Sequence, residues 1–262
     1  MSARWCRFEV DGRESYGRVE GSDVVAVDGA PWANPQATGE KHSFARVRLL
    51  PPVVPPTFYC VGLNYSEHLL ASARRRGVEP KLPARPDVNY RAVNALCASG
   101  DAIVKPKAAG ELFQYEGELV AVIGKKGRHI PADRALEYVF GWTIGNDVSE
   151  RTWQRSDRTN WRAKNSDTFN PMGPWIVTDA DYRKMSTIVR LNGEEVDRFA
   201  TGAMIHDVET YVAEVSKYCT LYPGDVIWMG TDGEPRNMKP GDICEVEITG
   251  IGVLRNPIVA GS

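Results

Sequence analysis

Tyr115-Glu116-Gly117-Glu118-Leu119-Val120-Ala121-Val122-Ile123 places two glutamates directly before five consecutive apolar residues. An apolar run of this length predicts a buried strand. Along a strand, side chains i and i+2 share a face, so Glu116 and Glu118 point the same way, roughly 7 Å apart along the chain. Two like charges on one face beside a buried run repel each other and resist desolvation, and a cation between them relieves both penalties. A strand end whose glutamates simply face water is the plainer alternative. Oxygen donors with no His or Cys beside them point to Mg²⁺, Mn²⁺ or Ca²⁺ rather than zinc.

Working outward, TFYCVGLNY (57–65) reads as a strand ending at Gly62, and further strand-like runs recur at 102–105, 139–144, 175–177, 188–191, 226–229 and 244–248. Helical patterns occupy 65–76, 133–138, 148–156 and 208–217. Strands outnumber helices, and the helices do not interleave regularly as a doubly wound fold requires, so the expected class is α+β, mostly β. Pro-Gly-Asp at 223–225 and again at 240–242 marks tight turns that launch strands. Before position 50, the runs RWCRFEV, YGRV and DVVAV alternate with Asp11-Gly12, Gly21-Ser22 and Asp28-Gly29 turns, the pattern of a small meander of hairpins. Pro51, Pro52, Pro55 and Pro56 can sit in neither helix nor central strand. The expected division is therefore a β module over 1–55 and a larger domain over 56–262.

Composition narrows the function. A chain of 262 residues with 42% hydrophobic content supports one core, with room for a small extra module. Lys+Arg 32 against Asp+Glu 34 creates no field that would gather nucleic acid. Cys6, Cys60, Cys97, Cys219 and Cys244 are widely spaced and form no CxxC pair, so they read as small hydrophobes of a reducing compartment. The N-terminal residues lack an apolar signal core, and no segment reaches the ~20 apolar residues that span a bilayer, so the expectation is a cytoplasmic protein with no membrane partner. GxSxG, HExxH, GxGxxG and Walker A patterns are missing, which disfavours serine hydrolases, zinc proteases, dehydrogenases and NTPases.

Asp147 ends the run Gly141-Trp142-Thr143-Ile144-Gly145-Asn146 where a helix could start. It either joins the two glutamates as a third metal ligand or, with Glu150 three residues on, forms a capping box.

Taken together, the strings GLNYSEH (62–68), YEGELVAVIGKK (115–126), GWTIGNDVSERTWQ (141–154), KNSDTFNPMGPW (164–175), LNGEE (191–195) and LYPGDVIWMGTDG (221–233) resemble, in that order, the fumarylacetoacetate hydrolase family. The resemblance covers 57–257, and the N-terminal module is similar to the small β domain of bacterial members. It implies a catalytic domain of rolled mixed β-sheet, a homodimer, and Mg²⁺ (or Mn²⁺, with Ca²⁺ able to take its place) held by Glu116, Glu118 and Asp147. It further implies that His68 is the general base and that Lys164 and Gln154 are catalytic. Thr231 and Arg91 would contact a small 2-oxo acid substrate; a plain surface arginine is the alternative at 91. Two positions depart from the family pattern. Ala71 stands where hydrolytic and decarboxylating members carry a glutamate that orients the histidine, and Asp232 stands where proline is usual. The basic run Arg74-Arg75-Arg76, with Lys81 and Arg85, reads as a solvated loop or as a cationic lid that draws in a dicarboxylate. The chemistry implied is hydrolysis of an acylpyruvate or isomerisation of a 2-hydroxyhepta-2,4-diene-1,7-dioate type of acid. An oxaloacetate-type decarboxylase and a non-catalytic binding or scaffold member are the alternatives.

Overall fold

The Gly117–Ile123 strand runs through a twelve-stranded mixed sheet, antiparallel to Val139–Asn146 on one side and to Val226–Trp228 on the other. The computed structural model describes residues 2–262, and of Arg75 and Arg76 the backbone only. Every residue of this central strand is buried, and the strand feeds two cores. Val120 and Val122 pack with Phe58, Cys60, Ile176 and Trp228 on one face. Leu119, Ala121 and Ile123 pack on the other with Val189, Val246 and Leu254. Burial on both faces is why the sequence shows an unbroken apolar run in place of alternation.

The second face meets a five-stranded sheet in the order Glu194–Ala200, Ser186–Leu191, Ile243–Ile248, Gly252–Ala260, Ile103–Lys105. The two sheets pack tightly at Gly117, where a Cβ would lie 2.9 Å from Val246 Cγ1 and 3.1 Å from Val189 Cγ2. Across the strand, a Cβ on Gly145 would fall 2.5 Å from the Trp228 ring. That ring is fully buried and cannot retreat into open space. Gly145→Ala is therefore expected to destabilise the fold by about 1–3 kcal/mol, the usual range for overpacking. Urea unfolding followed by tryptophan fluorescence measures it, and an unchanged midpoint would mean that the Trp228 pocket yields.

At the N-terminus, Arg4–Val10, Arg13–Glu20, Asp23–Val27 and Ala37–Ser43 form the expected meander with a small core of Cys6, Phe8, Val24 and Ala26. Arg4–Val10 also pairs antiparallel with Asn170–Val177, so the meander extends the large sheet.

Three local readings need refinement. Residues 133–138, read as helical, lie in a helix of the tighter 3₁₀ form, Ala132–Tyr138. The helix expected at 148–156 is a single turn, Arg151–Gln154, preceded by the two-residue strand Ser149–Glu150, which pairs with Phe113–Gln114. The exposed strand Glu194–Ala200 escapes the apolar pattern because it lies at a sheet edge and is rich in charge. The basic run at 74–76 closes the α-helix Ser66–Arg76, which ends at Gly77 with φ 64°. The side chains of Arg75 and Arg76 lie outside the described residues, so the lid reading rests on Arg74 alone there. Four of the five cysteines are buried, and all five are free thiols. No described helix is long and apolar enough to cross a membrane.

Candidate metal centre and its cavity

Antiparallel register brings the acidic residues together. Gly117 pairs with Asn146, so the residues just outside that pair, Glu116 and Asp147, are cross-strand neighbours, and the Asp147 N–H donates to the Glu116 carbonyl at 2.9 Å. Asn146 secures the corner by accepting from the Glu116 N–H at 3.0 Å. One oxygen from each of Glu116, Glu118 and Asp147 lies within 4.8 Å of the others, and all three side chains are buried. A buried set of three carboxylates on hard oxygen donors fits a divalent Mg²⁺-like ion and has no soft ligand that would favour zinc.

Around the triad, cations are distributed unevenly. Lys164 Nζ donates to Glu116 Oε2 at 2.5 Å and to Asp147 Oδ2 at 2.6 Å. Arg91 forks onto Asp147, Nε to Oδ1 at 2.9 Å and Nη2 to Oδ2 at 2.7 Å, and Asn170 Nδ2 adds a bond to Oδ1 at 3.0 Å. Arg151 Nη2 lies 2.7 Å from Glu116 Oε1, an ion pair that lacks hydrogen-bond alignment. Glu118 accepts only the Gly230 N–H, at 2.9 Å, and among the described residues no ion pair engages it.

The titration directions follow from this arrangement. Burial opposes charge on Glu116, but Arg151, Lys164 and His68 together hold its carboxyl far below the usual range. Burial likewise opposes charge on Asp147, and Arg91 and Lys164 overcome it. Glu118 goes the other way: burial, and then the charges of Asp147 and Glu116, push it well above the carboxylate range.

Glu116 and Glu118 of the triad open into a cavity of about 550 Å³ lined also by His68, Arg91, Gln154, Lys164 and Thr231. All the side chains singled out by resemblance thus gather at one place. His68 Nε2 is 3.7 Å from Glu116 Oε1, and its Nδ1 lies 3.2 Å from the Gly233 carbonyl. Gln154 accepts from Arg151 Nη1 at 3.0 Å. Two alternatives from the sequence are overturned. Arg91 is no surface arginine but a buried partner of Asp147. Asp147 is no helix cap, because Glu150 Oε2 takes the Trp153 N–H at 2.6 Å.

Arg151, Asn170 and Asn146 were missed by the sequence reading. Arg151 lies four residues past Asp147 in the same string, yet only the topology shows that it is buried and turned toward Glu116.

A second acidic spot lies beside Gly233, where a Cβ would fall 2.2 Å from Asp197 Oδ2. Asp197 is pushed up to about 6 by burial, and its Oδ2 has no hydrogen-bond partner among the described residues. A folded-state value above the unfolded value of ~3.9 favours the native state only while the group is protonated. Stability is therefore expected to fall as pH rises from about 4 to about 6. Asp197→Asn is expected to flatten that slope, which a Tm series across the window reads. An equal slope in the variant would assign it to another group.

Comparison with known proteins agrees with this geometry. Residues 57–259 match the family model described as fumarylacetoacetate (FAA) hydrolase, C-terminal, and residues 3–52 match Rv2993c-like, N-terminal. Protein Rv2993c of Mycobacterium tuberculosis is 38% identical over 232 residues, 87% of this chain and 85% of that protein. The human mitochondrial oxaloacetate tautomerase FAHD2A is 36% identical over 228 residues, 82% of this chain and 70% of that protein. The crystal structure of 5-carboxymethyl-2-hydroxymuconate delta-isomerase from Mycobacterium smegmatis superimposes with a TM-score of 0.89 at 35% identity, covering 98% of this chain and 100% of that one. With a family match over most of its length and relatives of this identity, the chain belongs to the fumarylacetoacetate hydrolase family.

Proposed function

We propose that the protein is a divalent-metal-dependent enzyme that relocates a proton on an enolisable 2-oxo dicarboxylic acid, as an isomerase or tautomerase. The observation that carries this reading is the convergence of Glu116, Glu118 and Asp147, the first two of which line a cavity whose walls carry cations. Mg²⁺ is the proposed ion, with Mn²⁺ as its substitute; held by the three carboxylates, it would polarise the 2-oxo group and stabilise an enolate.

The chain's own residues do the rest. Arg91, Arg151 and Lys164 balance the three carboxylates, so an added divalent charge leaves the site cationic and suited to a dianionic substrate. Thr231 and Arg91 hold a substrate carboxylate, and Lys164 and Gln154 hold the distal carbonyl. His68 moves the proton. Ala71 supports proton relocation over hydrolysis, because no carboxylate three residues on from His68 is present to help activate water. The names of two relatives, an oxaloacetate tautomerase and a hydroxymuconate isomerase, support the same class.

The test incubates Mg²⁺-loaded protein with enol oxaloacetate, a hydroxymuconate-type dioate and an acylpyruvate, following ultraviolet absorbance and product identity. Accelerated enol–keto or double-bond shift in a dicarboxylate is expected. Cleavage of the acylpyruvate with neither dicarboxylate processed would replace this reading with hydrolysis. We propose a homodimer as the working form, a mass that sedimentation equilibrium reads directly.

A further inference from the structure

We propose that Asp232 is a positioning residue for His68: its carboxylate fixes the helical turn that carries the imidazole, while the adjoining Gly233 carbonyl fixes the ring's tautomer. This rests on the assignment of the proton step to His68 made above.

The helix Ser66–Arg76 begins at Tyr65, whose side chain makes no capping hydrogen bond. The first N–H groups of a helix have no partner within it and must find one elsewhere. For His68, the third helical residue, the partner comes from a distant part of the chain: its N–H donates to Asp232 Oδ1 at 2.9 Å. A carboxylate at that end of a helix also meets the positive end of the helix dipole. One contact thus ties the turn bearing the imidazole to the loop lining the cavity.

The neighbouring residue supplies the second restraint. His68 Nδ1 lies 3.2 Å from the Gly233 carbonyl oxygen. A carbonyl can only accept, so this contact assigns the hydrogen to Nδ1 and leaves Nε2 as the basic nitrogen. Nε2 is the atom on the Glu116 side of the cavity, 3.7 Å from Oε1. The turn that aims this carbonyl needs glycine, since φ at Gly233 is +75° and a Cβ there would fall 2.2 Å from Asp197 Oδ2. Ala71, one turn on from His68, is buried and its side chain offers no acceptor. Asp232 and Gly233 therefore supply by a side chain and a carbonyl the orientation that Ala71 cannot.

The experiment compares Asp232→Asn, Asp232→Ala and His68→Gln in the Mg²⁺-loaded protein. It measures kcat and KM for enol oxaloacetate, and the tautomer of His68 by ¹⁵N-resolved NMR of the four histidines. Asp232→Asn keeps an acceptor oxygen and is expected to hold kcat within about threefold, whereas Asp232→Ala is expected to lose about tenfold or more in kcat with little change in KM. The wild-type ring is expected as the Nδ1–H tautomer, with that signal weakened or mixed in Asp232→Ala. If His68→Gln is inactive while Asp232→Ala matches wild type in kcat and in its His68 signal, the positioning role is overturned and the proposed function stands. If His68→Gln keeps turnover, the proton step belongs to another group, so the positioning role and the His68 assignment fall together while the isomerase or tautomerase reading stands. Should Asp232→Ala fail to fold, the wild-type spectrum decides: an Nε2–H tautomer overturns the proposal.

Discussion

Glu118→Gln is expected to leave the metal-free protein at least as stable as its parent, while erasing both turnover and any rise in Tm on adding Mg²⁺. The reason lies in what surrounds this carboxylate. It accepts one backbone N–H, from Gly230, and no cation is paired with it among the described residues. Burial and the adjacent charges of Asp147 and Glu116 already push it toward the neutral acid. An amide of the same shape keeps an oxygen for Gly230 and removes a repelled charge, so nothing in the metal-free fold is orphaned. A divalent ion, by contrast, needs that charge. An ion present at a hundred times its Kd adds about 2.7 kcal/mol to the stability of the protein that binds it. In a chain of this size that corresponds to a Tm rise on the order of 5–10 °C in the parent, and the variant should show none. Loss of the ion should lower kcat by at least about a hundredfold, the scale of a lost preorganised charge. A variant whose Tm still climbs with Mg²⁺ as the parent's does would remove Glu118 from the metal site.

How much of this was visible in the residues can be argued from three places. The E-x-E pair before an apolar run was legible because period-two geometry and like-charge repulsion act locally, within one strand. That Asp147 joins the pair follows from the Gly117–Asn146 register, a long-range fact that the local pattern left open between ligand and cap. The cationic ring was harder still. Arg91 follows the short strand Val88–Tyr90, Arg151 begins a single helical turn, and Lys164 sits in an irregular stretch. None of the three carries a sequence period that marks it as buried. The resemblance supplied Lys164, and it supplied Arg91 in a looser form, but the bidentate grip on Asp147 needed the fold. The same limit explains the 3₁₀ helix at Ala132–Tyr138 and the short turn at Arg151–Gln154, where amphipathic spacing alone does not separate one helical form from another.

The neighbouring glutamate should behave in the opposite way. Glu116→Gln is expected to lower the stability of the metal-free protein by about 3–5 kcal/mol, the cost of breaking a buried ion pair from one side. Glu116 takes Lys164 on one oxygen and Arg151 on the other, and all three side chains are buried. Neutralising it leaves Lys164 with Asp147, but among the described residues it leaves Arg151 with the amide oxygens of Gln114 and Gln154 and no anion. A guanidinium buried without an anion is the main source of the loss, so the penalty should be recovered in part by Arg151→Leu in the same background. Urea unfolding of the two single variants and the double variant, at constant m value, closes this cycle. The contrast with Glu118→Gln is the sharper measurement, since both substitutions delete one carboxylate two residues apart on the same strand face. If both shift the midpoint equally and in the same direction, the charges are solvated rather than partnered as described. Opposite responses require the asymmetry seen here, in which Glu116 is bound up with the cations and Glu118 stands outside those ion pairs.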